Sequence, residues 1–261
     1  MSVSVVIPCY GGTATIVRAI ESVIAQSRPA AEILVVDDGN PEPAAGFLAA
    51  LPARFEKLRV VKLSPNSGLA DARNAGWNAA REKYVAFLDD DDAWHPRKLE
   101  WQTKAMEENP LLALTATGLF ESPGEPARWP ACDAMPALRS YSRLRAMIVN
   151  PSHPVTWMVR RELAHRFPRG VRHVEDYLFV LELLLDGAQV LHLDADLCCV
   201  FKPRLGRTTG LSSQLWKMER AELSVYASLA RSGRLSFATS KALQGVSLLK
   251  FLRRLALRAA S

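Results

Sequence analysis

Apolar runs alternate with helical patterns along the first ninety residues of the chain. The apolar runs have the length of buried β-strands and lie at residues 3–7, 32–36, 59–63 and 84–88. Residues 16–24 repeat apolar side chains at helical spacing, and the alanine-rich stretch 69–81 also predicts a helix. This alternation is typical of a parallel sheet covered by helices. We therefore predict an α/β fold with a Rossmann-like, mostly parallel sheet flanked by helices.

The second part of the chain is less regular. Predicted helices and strands follow in the order helix 96–108, strand 111–120, strand 155–159, helix 174–185 and strand 189–200. Residues 122–136 contain four prolines and a glycine, which indicates an irregular connection. The composition and spacing of 211–230 and 234–259 predict a helical tail that stands apart from the sheet.

Two acidic turns follow predicted strands. Asp37-Asp38-Gly39 ends the second strand, and four consecutive aspartates, 89–92, end the fourth. In an open parallel sheet the carboxyl ends of the strands lie along one edge, where ligands bind near the point of strand-order reversal. We therefore expect both turns on one side of the sheet. Asp-Gly after a strand is also ordinary turn chemistry, so the first turn alone is a weak signal.

The four aspartates predict a metal site. Adjacent carboxylates repel one another unless a cation is present, and oxygen ligands without histidine or cysteine favour hard ions. Mn²⁺ or Mg²⁺ is the predicted cofactor. A solvated acidic loop is the alternative, but this run directly follows an apolar strand and is closed by Trp94 and Pro96.

Composition narrows the class of protein. The chain has 261 residues, 49% of them hydrophobic, which is enough for one large core. Its four cysteines show neither zinc-ligand spacing nor a disulfide framework, which favours a reducing cytosol. No signal peptide or membrane span is predicted. Residues 201–261 carry 12 Lys or Arg against 2 Glu, a net +10, and residues 1–200 carry 21 against 25, a net −4. We therefore expect no nucleic-acid binding by the body.

Five segments in order resemble the family 2 glycosyltransferases of the GT-A fold. They are VSVVIPCYGG (3–12), ILVVDDG (33–39), NSGLADARNAGWNAA (66–80), YVAFLDDDDAWHPRKL (84–99) and VEDYLFVLELLLDG (174–187). The resemblance covers roughly residues 1–205. Two positions depart from the family pattern: Gly11 replaces the usual asparagine, and Asn40 replaces the serine that commonly follows Asp-Asp-Gly.

The resemblance implies a role for each motif. Asp91 would bind the metal directly, Asp89 would complete the DxD pair, and Asp176 would be the general base, with Glu175 beside it to orient it or contact the acceptor. The implied donor-binding residues are Pro8, Tyr10, Asp38, Arg73, Asp89, Asp90 and Lys202, with Asp38 at the nucleobase and Lys202 near the pyrophosphate.

The residues alone, without the family resemblance, allow other interpretations of these positions. Asp90 and Asp92 could only shape the turn. Arg73 could pair with an aspartate, approach phosphate, or form a surface ion pair. The Glu175–Asp176 pair, without the family, is the acidic first turn of a helix, where negative charge suits the helix dipole.

The implied function is inverting transfer of a sugar from a nucleotide-sugar donor, UDP-linked by default, to a saccharide or lipid-linked saccharide in surface polysaccharide or lipopolysaccharide synthesis. The predicted division is a nucleotide-sugar-binding half (1–120), an acceptor-binding half (121–205) and a basic helical tail (206–261). An inactive sugar-nucleotide-binding module is one alternative. A sugar nucleotidyltransferase is another, but the loop at 8–15 lacks the Lys or Arg expected of its phosphate loop.

The tail has its own prediction. Between residues 241 and 258, leucines favour one side of a helix, while Lys250, Arg253, Arg254 and Arg258 gather on the other. Such a helix can lie on an anionic membrane, which would place a cytoplasmic enzyme at the inner face of the plasma membrane. Packing on the catalytic domain or in a homodimer is the alternative, and we favour packing for 211–230.

Overall fold

The computed structural model describes residues 2–122, 129–171, 173–201 and 215–259. The strands are β1 Val3–Cys9, β2 Glu32–Asp38, β3 Leu58–Leu63, β4 Tyr84–Phe87, β5 Asp92–Trp94, β6 Leu112–Glu121, β7 Leu138–Ser140, β8 Met158–Arg160 and β9 Gln189–Val200. The helices are α1 Ile16–Ile24, α2 Ala44–Ala50, α3 Leu69–Ala79, α4 Lys98–Glu108, α5 Arg143–Ile148, α6 Glu175–Leu185, α7 Leu215–Arg231 and α8 Phe237–Ala259.

One mixed sheet runs through the molecule in the order β3-β2-β1-β4-β8-β6-β9-β5, with β7 paired to β9. The four strands β3, β2, β1 and β4 are mutually parallel, as predicted. The chain leaves β1 on one side to form β2 and β3, and returns on the other side to form β4. The carboxyl ends of β1 and β4 therefore mark the point at which strand order reverses, where open α/β sheets bind ligands.

Helices cover both faces of the sheet. Residues of β1 alternate between two cores: Val6 packs with α3, α6 and α7, whereas Val5 and Ile7 pack with α1 and α4. Both faces are buried, which explains why β1 and β2 are almost continuously apolar. Helix α3 lies very close to the sheet, because a Cβ at Gly76 would be 2.3 Å from a methyl of Val6.

The predicted strand at 155–159 was wrong in its position. Residues Pro154–Thr156 form a 3₁₀ turn, and the strand is β8, Met158–Arg160. Proline has no N–H for a sheet ladder, and the Thr156 N–H instead donates to the carbonyl of His153 at 2.9 Å. The irregular connection is confirmed for 129–136, and its residues 123–128 lie outside the described ones.

The helical tail does not stand apart from the sheet domain. Val225, Tyr226 and Leu229 of α7 belong to the same core cluster as α3 and α6, and Leu243 of α8 joins them. The hydroxyl of Tyr226 lies 3.1 Å from that of Tyr177 on α6. These contacts confirm the predicted packing of the first tail helix over its described residues.

Candidate active site

A cleft of about 580 Å³ opens at the carboxyl ends of β1, β2 and β4. Both acidic turns reach it, as the parallel topology requires. Its lining joins the sheet edge to the start of α3 and the start of α6. The main polar residues of that lining are Asp38, Asn66, Ser67, Asp71, Asp89, Asp90, Asp91, His173 and Glu175.

Asp38 is buried at one end of the cleft and organises the loop before α3. Its carboxylate accepts four hydrogen bonds: from the Asn66 amide, the Ser67 N–H, the Ser67 hydroxyl and the Gly68 N–H, at 2.8–3.0 Å. A carboxylate offers about four lone-pair sites. A nucleobase contact at Asp38 would therefore share or replace one of these bonds.

The two departures from the family pattern compensate for each other. Asn40 accepts a hydrogen bond from the N–H of Gly11 at 2.7 Å and donates to the Cys9 carbonyl at 2.9 Å and to Asp37 at 2.8 Å. The amide side chain thus ties the loop after β1 to the loop after β2. Gly11 has a φ of +77°, a left-handed conformation that favours glycine.

The four aspartates point in different directions. Asp89 forms an ion pair with Arg73, and Asp90 occupies the space that a side chain at position 12 would enter. The backbone carbonyl of Asp91 accepts a hydrogen bond from Arg18 at 2.8 Å. Asp92 is buried and begins β5, so it belongs to the sheet rather than to the cleft lining.

Across the described ranges, no three His, Cys, Asp or Glu side chains converge as a preformed metal site. Asp89, Asp90 and Asp91 nevertheless line the cleft with oxygen ligands alone. This donor set suits a hard cation that binds one or two carboxylates and takes its other ligands from phosphate and water, as Mg²⁺ commonly does. The residues therefore fit a cation that arrives with a diphosphate.

Arg73 is buried and links the two acidic ends of the cleft. Its guanidinium lies 2.8 Å from Asp89 and 3.4 Å from Glu175. Burial opposes its charge, but the fields of Asp89 and Glu175 outweigh burial and raise the pKa of Arg73. Arg73 is thus neither a surface ion pair nor, as it stands, aimed at phosphate. It holds the acidic run against the start of α6.

Glu175 and Asp176 are adjacent but have opposite environments. Burial raises the pKa of Glu175 against the pull of Arg73, and Glu175 lines the cleft. Burial would also raise the pKa of Asp176, but hydrogen bonding and charge from His153 outweigh it and lower that pKa. Asp176 is therefore the carboxylate of the pair whose charged form its surroundings favour. Two titratable neighbours whose pKa values are pushed apart are typical of acid–base sites.

The other predicted site residues fall into three groups. Pro8 lines the cleft beneath Tyr10, whose side chain is largely exposed at the rim. Asp176 contacts the segment at 150–153 and is absent from the cleft lining itself. Lys202 lies outside the described residues.

Two kinds of site residue were not predicted from the sequence. Asn150 and His153 contact Asp176, although no periodicity or spacing distinguishes them in the sequence. His173 lines the cleft with a φ of +79°, uncommon for a residue with a side chain and typical of constrained functional loops. Its position two residues before the Glu-Asp pair was the available signal.

A sheet with a switch point, with both acidic turns and Glu175 at one cleft, is an arrangement shared by nucleotide-sugar enzymes of the GT-A class. The sequence profile of "Glycosyl transferase family 2" matches residues 4–167. The chain belongs to this family and is a glycosyltransferase.

Relatives agree with this assignment. The chain is 31% identical over 231 residues to TuaG of Bacillus subtilis, a glycosyltransferase named for teichuronic acid biosynthesis, and covers 88% of each chain. It is 32% identical over 200 residues to the succinoglycan biosynthesis protein ExoO of Rhizobium meliloti, covering 72% of this chain and 57% of ExoO.

Solved structures share the fold at low sequence identity. S. aureus TarS 1–349, in complex with UDP-GlcNAc, matches with a TM-score of 0.71 and 20% identity over 95% of this chain and 72% of that one. The mannosyltransferase PcManGT of Pyrobaculum calidifontis, in complex with GDP-Man and Mn²⁺, matches with a TM-score of 0.68 and 17% identity, covering 99% and 75%.

Proposed function

We propose that this glycosyltransferase moves a sugar, with inversion, from a UDP-linked donor to a hydroxyl of a saccharide or lipid-linked saccharide during polysaccharide synthesis. The observation that carries the proposal is the pair of acidic clusters at the cleft, Asp89–Asp91 and Glu175–Asp176, joined by the buried Arg73. The names of TuaG and ExoO support a polysaccharide pathway, and the TarS complex supports a UDP-sugar donor.

The donor would lie along the sheet edge. The nucleoside end fits beside Asp38 and the 66–68 loop, where polar groups and backbone N–H groups surround one carboxylate. The diphosphate end fits at Asp89 and Asp91. Anions do not approach bare carboxylates, so we propose a divalent cation, Mn²⁺ or Mg²⁺, as the cofactor there. When bound, it would supply charge neutralisation at the leaving diphosphate.

Asp176 is the proposed general base. It takes the proton of the acceptor hydroxyl while the acceptor oxygen forms a bond to the anomeric carbon. The bond from that carbon to the diphosphate oxygen breaks, and the nucleoside diphosphate leaves with the electron pair. One displacement inverts the anomeric configuration. General-base assistance of this kind typically contributes ~10²–10⁴-fold to the rate.

The test is a donor screen. UDP-glucose, UDP-galactose, UDP-N-acetylglucosamine and GDP-mannose are titrated into the protein by calorimetry with Mn²⁺, with Mg²⁺ and with EDTA, and release of nucleoside diphosphate is followed in parallel. We expect one UDP-sugar to bind in a cation-dependent manner and to be turned over. Binding without any release, across a broad acceptor panel, would instead favour an inactive binding module. Equal binding in EDTA would overturn metal dependence.

A second proposal concerns the membrane. The chain leaves Leu248, Leu249 and Leu252 of α8 exposed, because the face turned inward is Ser240, Leu243, Ser247 and Phe251. Trp216 of α7, 63% exposed, contacts Phe251 with the rings tilted by 60° and their centroids 4.5 Å apart. The outward face of the tail is thus a patch of leucine and tryptophan side chains. Leu243, which was predicted to lie with these leucines, faces inward instead.

Charge favours a lipid partner for this patch. Helix α8 contains no Asp or Glu. Two of its basic residues pair with α7: Lys250 with Glu222 at 3.0 Å and Arg254 with Glu219 at 3.1 Å. Arg253, Lys217 and Arg220 stay exposed around the patch. We propose that this surface contacts anionic lipid at the membrane face. Among the described residues, no helix is long and apolar enough to cross a membrane.

Flotation with vesicles tests the lipid contact. The double variant Leu249→Glu, Leu252→Glu should lose flotation on phosphatidylglycerol vesicles, whereas Leu111→Glu, at an exposed leucine on the α4–β6 turn, should not. Phosphatidylcholine vesicles should bind the wild type less. Equal flotation of both variants would overturn the proposal. Conversion of a dimer to a monomer by the double variant, without loss of flotation, would assign the patch to a homodimer.

A further inference from the structure

The carboxylate of Asp176 is held by the segment that precedes the 3₁₀ turn. The Asn150 amide donates to Asp176 Oδ2 at 3.1 Å, and Nδ1 of His153 lies 3.4 Å from the same oxygen. The N–H of Tyr177 donates to Oδ1 at 2.8 Å. A carboxylate offers roughly four lone-pair sites, and the two hydrogen bonds leave room for the His153 ring and for the proton of an acceptor hydroxyl.

We propose that His153 is a positioning residue for glycosyl transfer, which orients the carboxylate of Asp176 and keeps it ready to accept a proton. This inference rests on the proposed role of Asp176 as the base. Glu175 cannot replace Asp176 in this role, because its carboxylate is turned toward Arg73.

The backbone of His153 is fixed independently of its ring. Its carbonyl accepts hydrogen bonds from the N–H and the hydroxyl of Thr156, at 2.9 and 2.7 Å, which close the 3₁₀ turn. Ser152, the preceding residue, accepts from the Trp157 indole at 2.7 Å. Replacing the imidazole therefore leaves the contacts that shape the segment. The ring itself is 38% exposed, and its Nδ1 lies 3.4 Å from the partly exposed carboxylate of Asp176.

The charges around Asp176 also favour a positioning role for His153. Among the described residues, the ionisable side chains that act on Asp176 include His153 from the 149–153 segment, Arg73 from α3 and Glu175 from its own helix. Burial raises the pKa of Asp176, while the hydrogen bond and charge of His153, followed by the charge of Arg73, lower it. Removing the imidazole should therefore raise that pKa. The base would then be protonated at a higher pH.

The test compares three histidine variants in nucleoside diphosphate release, with water as the acceptor and the UDP-sugar selected by the donor screen. We expect His153→Ala to lower kcat ~10- to 100-fold, as loss of an outer-shell partner typically does, with the donor KM unchanged. His153→Asn, which keeps an N–H near the position of Nδ1, should recover most of this loss. His165→Ala is the matched control, because His165 also pairs with an aspartate, Asp186 at 2.8 Å, but outside the cleft lining.

The pH profile separates positioning from a merely structural effect. In His153→Ala the acid limb of kcat should move to higher pH, and in His165→Ala it should stay in place. A wild-type kcat and an unmoved acid limb in His153→Ala would overturn the inference. So would equal losses in His153→Ala and His153→Asn with an altered donor KM.

Failure of the proposed function would look different. In that case the wild type itself would release no nucleoside diphosphate from any sugar nucleotide. A double-mutant cycle of His153→Ala and Asp176→Asn on the free energy of unfolding would still test the pair. We expect coupled effects, and strictly additive effects would overturn the inference.

Discussion

The donor side and the acceptor side of the cleft are held in different ways. On the donor side, Asp38 and Asn40 are fixed chiefly by backbone groups of the loops that end β1 and β2 and precede α3. On the acceptor side, Glu175 is held by Arg73, 102 residues earlier, and Asp176 by Asn150 and His153. The donor side is a set of neighbouring loops, whereas the reactive carboxylates depend on side chains from distant segments.

This difference has a consequence for mutation. Replacing Arg73 removes the charged partner of Glu175, whereas replacing Asn40 removes only the hydrogen bonds of an uncharged amide. Losing a partner of a buried charge costs more free energy than losing a neutral hydrogen bond. The acceptor side should therefore be the more sensitive in both stability and turnover.

Arg73→Gln should have the largest effect on stability. It leaves Asp89 and Glu175 without their shared cation, and breaking a buried ion pair typically costs about 3–5 kcal/mol of unfolding free energy. Chemical denaturation would measure this. Arg28→Gln, which breaks the surface pair with Glu107 at 3.0 Å, is the control and should cost less than about 1 kcal/mol. Similar losses of unfolding free energy in both variants would mean that the buried ion pairs of Arg73 stabilise the fold no more than a surface pair does.

Asp91→Asn should lower metal-dependent turnover about 10²-fold, equivalent to roughly 2.7 kcal/mol of transition-state stabilisation. The cause would be loss of the proposed metal ligand. Asp71→Asn is the control, because Asp71 also lines the cleft but pairs with Arg169 at 3.1 Å. Turnover should be measured over a Mn²⁺ titration. Unchanged Mn²⁺ dependence in Asp91→Asn would remove Asp91 from the metal site.

Lys98 gives a pH-dependent prediction away from both sides of the cleft. It is fully buried, stacks on Trp94 with its ammonium 4.0 Å from the ring centroid, and donates to Gln102 at 2.7 Å. Burial lowers its pKa to about 8 from 10.5. The folded state thus binds a proton less readily than the unfolded state, so stability should rise with pH between these values, by about 2 kcal/mol from pH 7 to pH 9.5.

Lys98→Met should remove this pH dependence and stabilise the protein at pH 7. Denaturation of both proteins at pH 7, 8 and 9.5 would measure the slopes. Identical slopes of unfolding free energy against pH in the two proteins would mean that Lys98 keeps its ordinary pKa in the fold.

Asn40→Ala should have the smallest effect, about 1–2 kcal/mol, because it removes the hydrogen bonds of a nearly buried but uncharged amide. Asn78→Ala, at an exposed position of α3, should change stability by less than about 0.5 kcal/mol. If Asn40→Ala instead costs as much as Arg73→Gln, the two sides of the cleft do not differ as described.

The sequence correctly predicted the features that depend on local pattern. The runs at 3–7, 32–36, 59–63 and 84–88 form parallel strands, and both acidic turns reach one edge, because chain direction and strand ends follow directly from the alternation of elements. The family resemblance added the positions of Glu175 and Asp176. The strand predicted at 155–159 was misplaced because its first two residues complete the 3₁₀ turn that begins at Pro154, which no apolar pattern shows.

The remaining features depend on contacts between distant parts of the chain. No spacing in the sequence brings Arg73 to Glu175 or His153 to Asp176. The orientation of α8 likewise depends on a distant segment: its Ser240, Leu243, Ser247 and Phe251 face inward, and its Lys250 and Arg254 pair with acidic residues of α7.

Asp176→Asn, compared with Glu175→Gln, tests the central claim most directly. Donor affinity by calorimetry and sugar transfer by nucleoside diphosphate release would be measured on the same preparations. The account predicts that Asp176→Asn binds the donor as the wild type does and loses at least ~10²-fold in transfer, because the ionised base is gone. Wild-type-like transfer by Asp176→Asn would contradict the account, whatever the effect of Glu175→Gln.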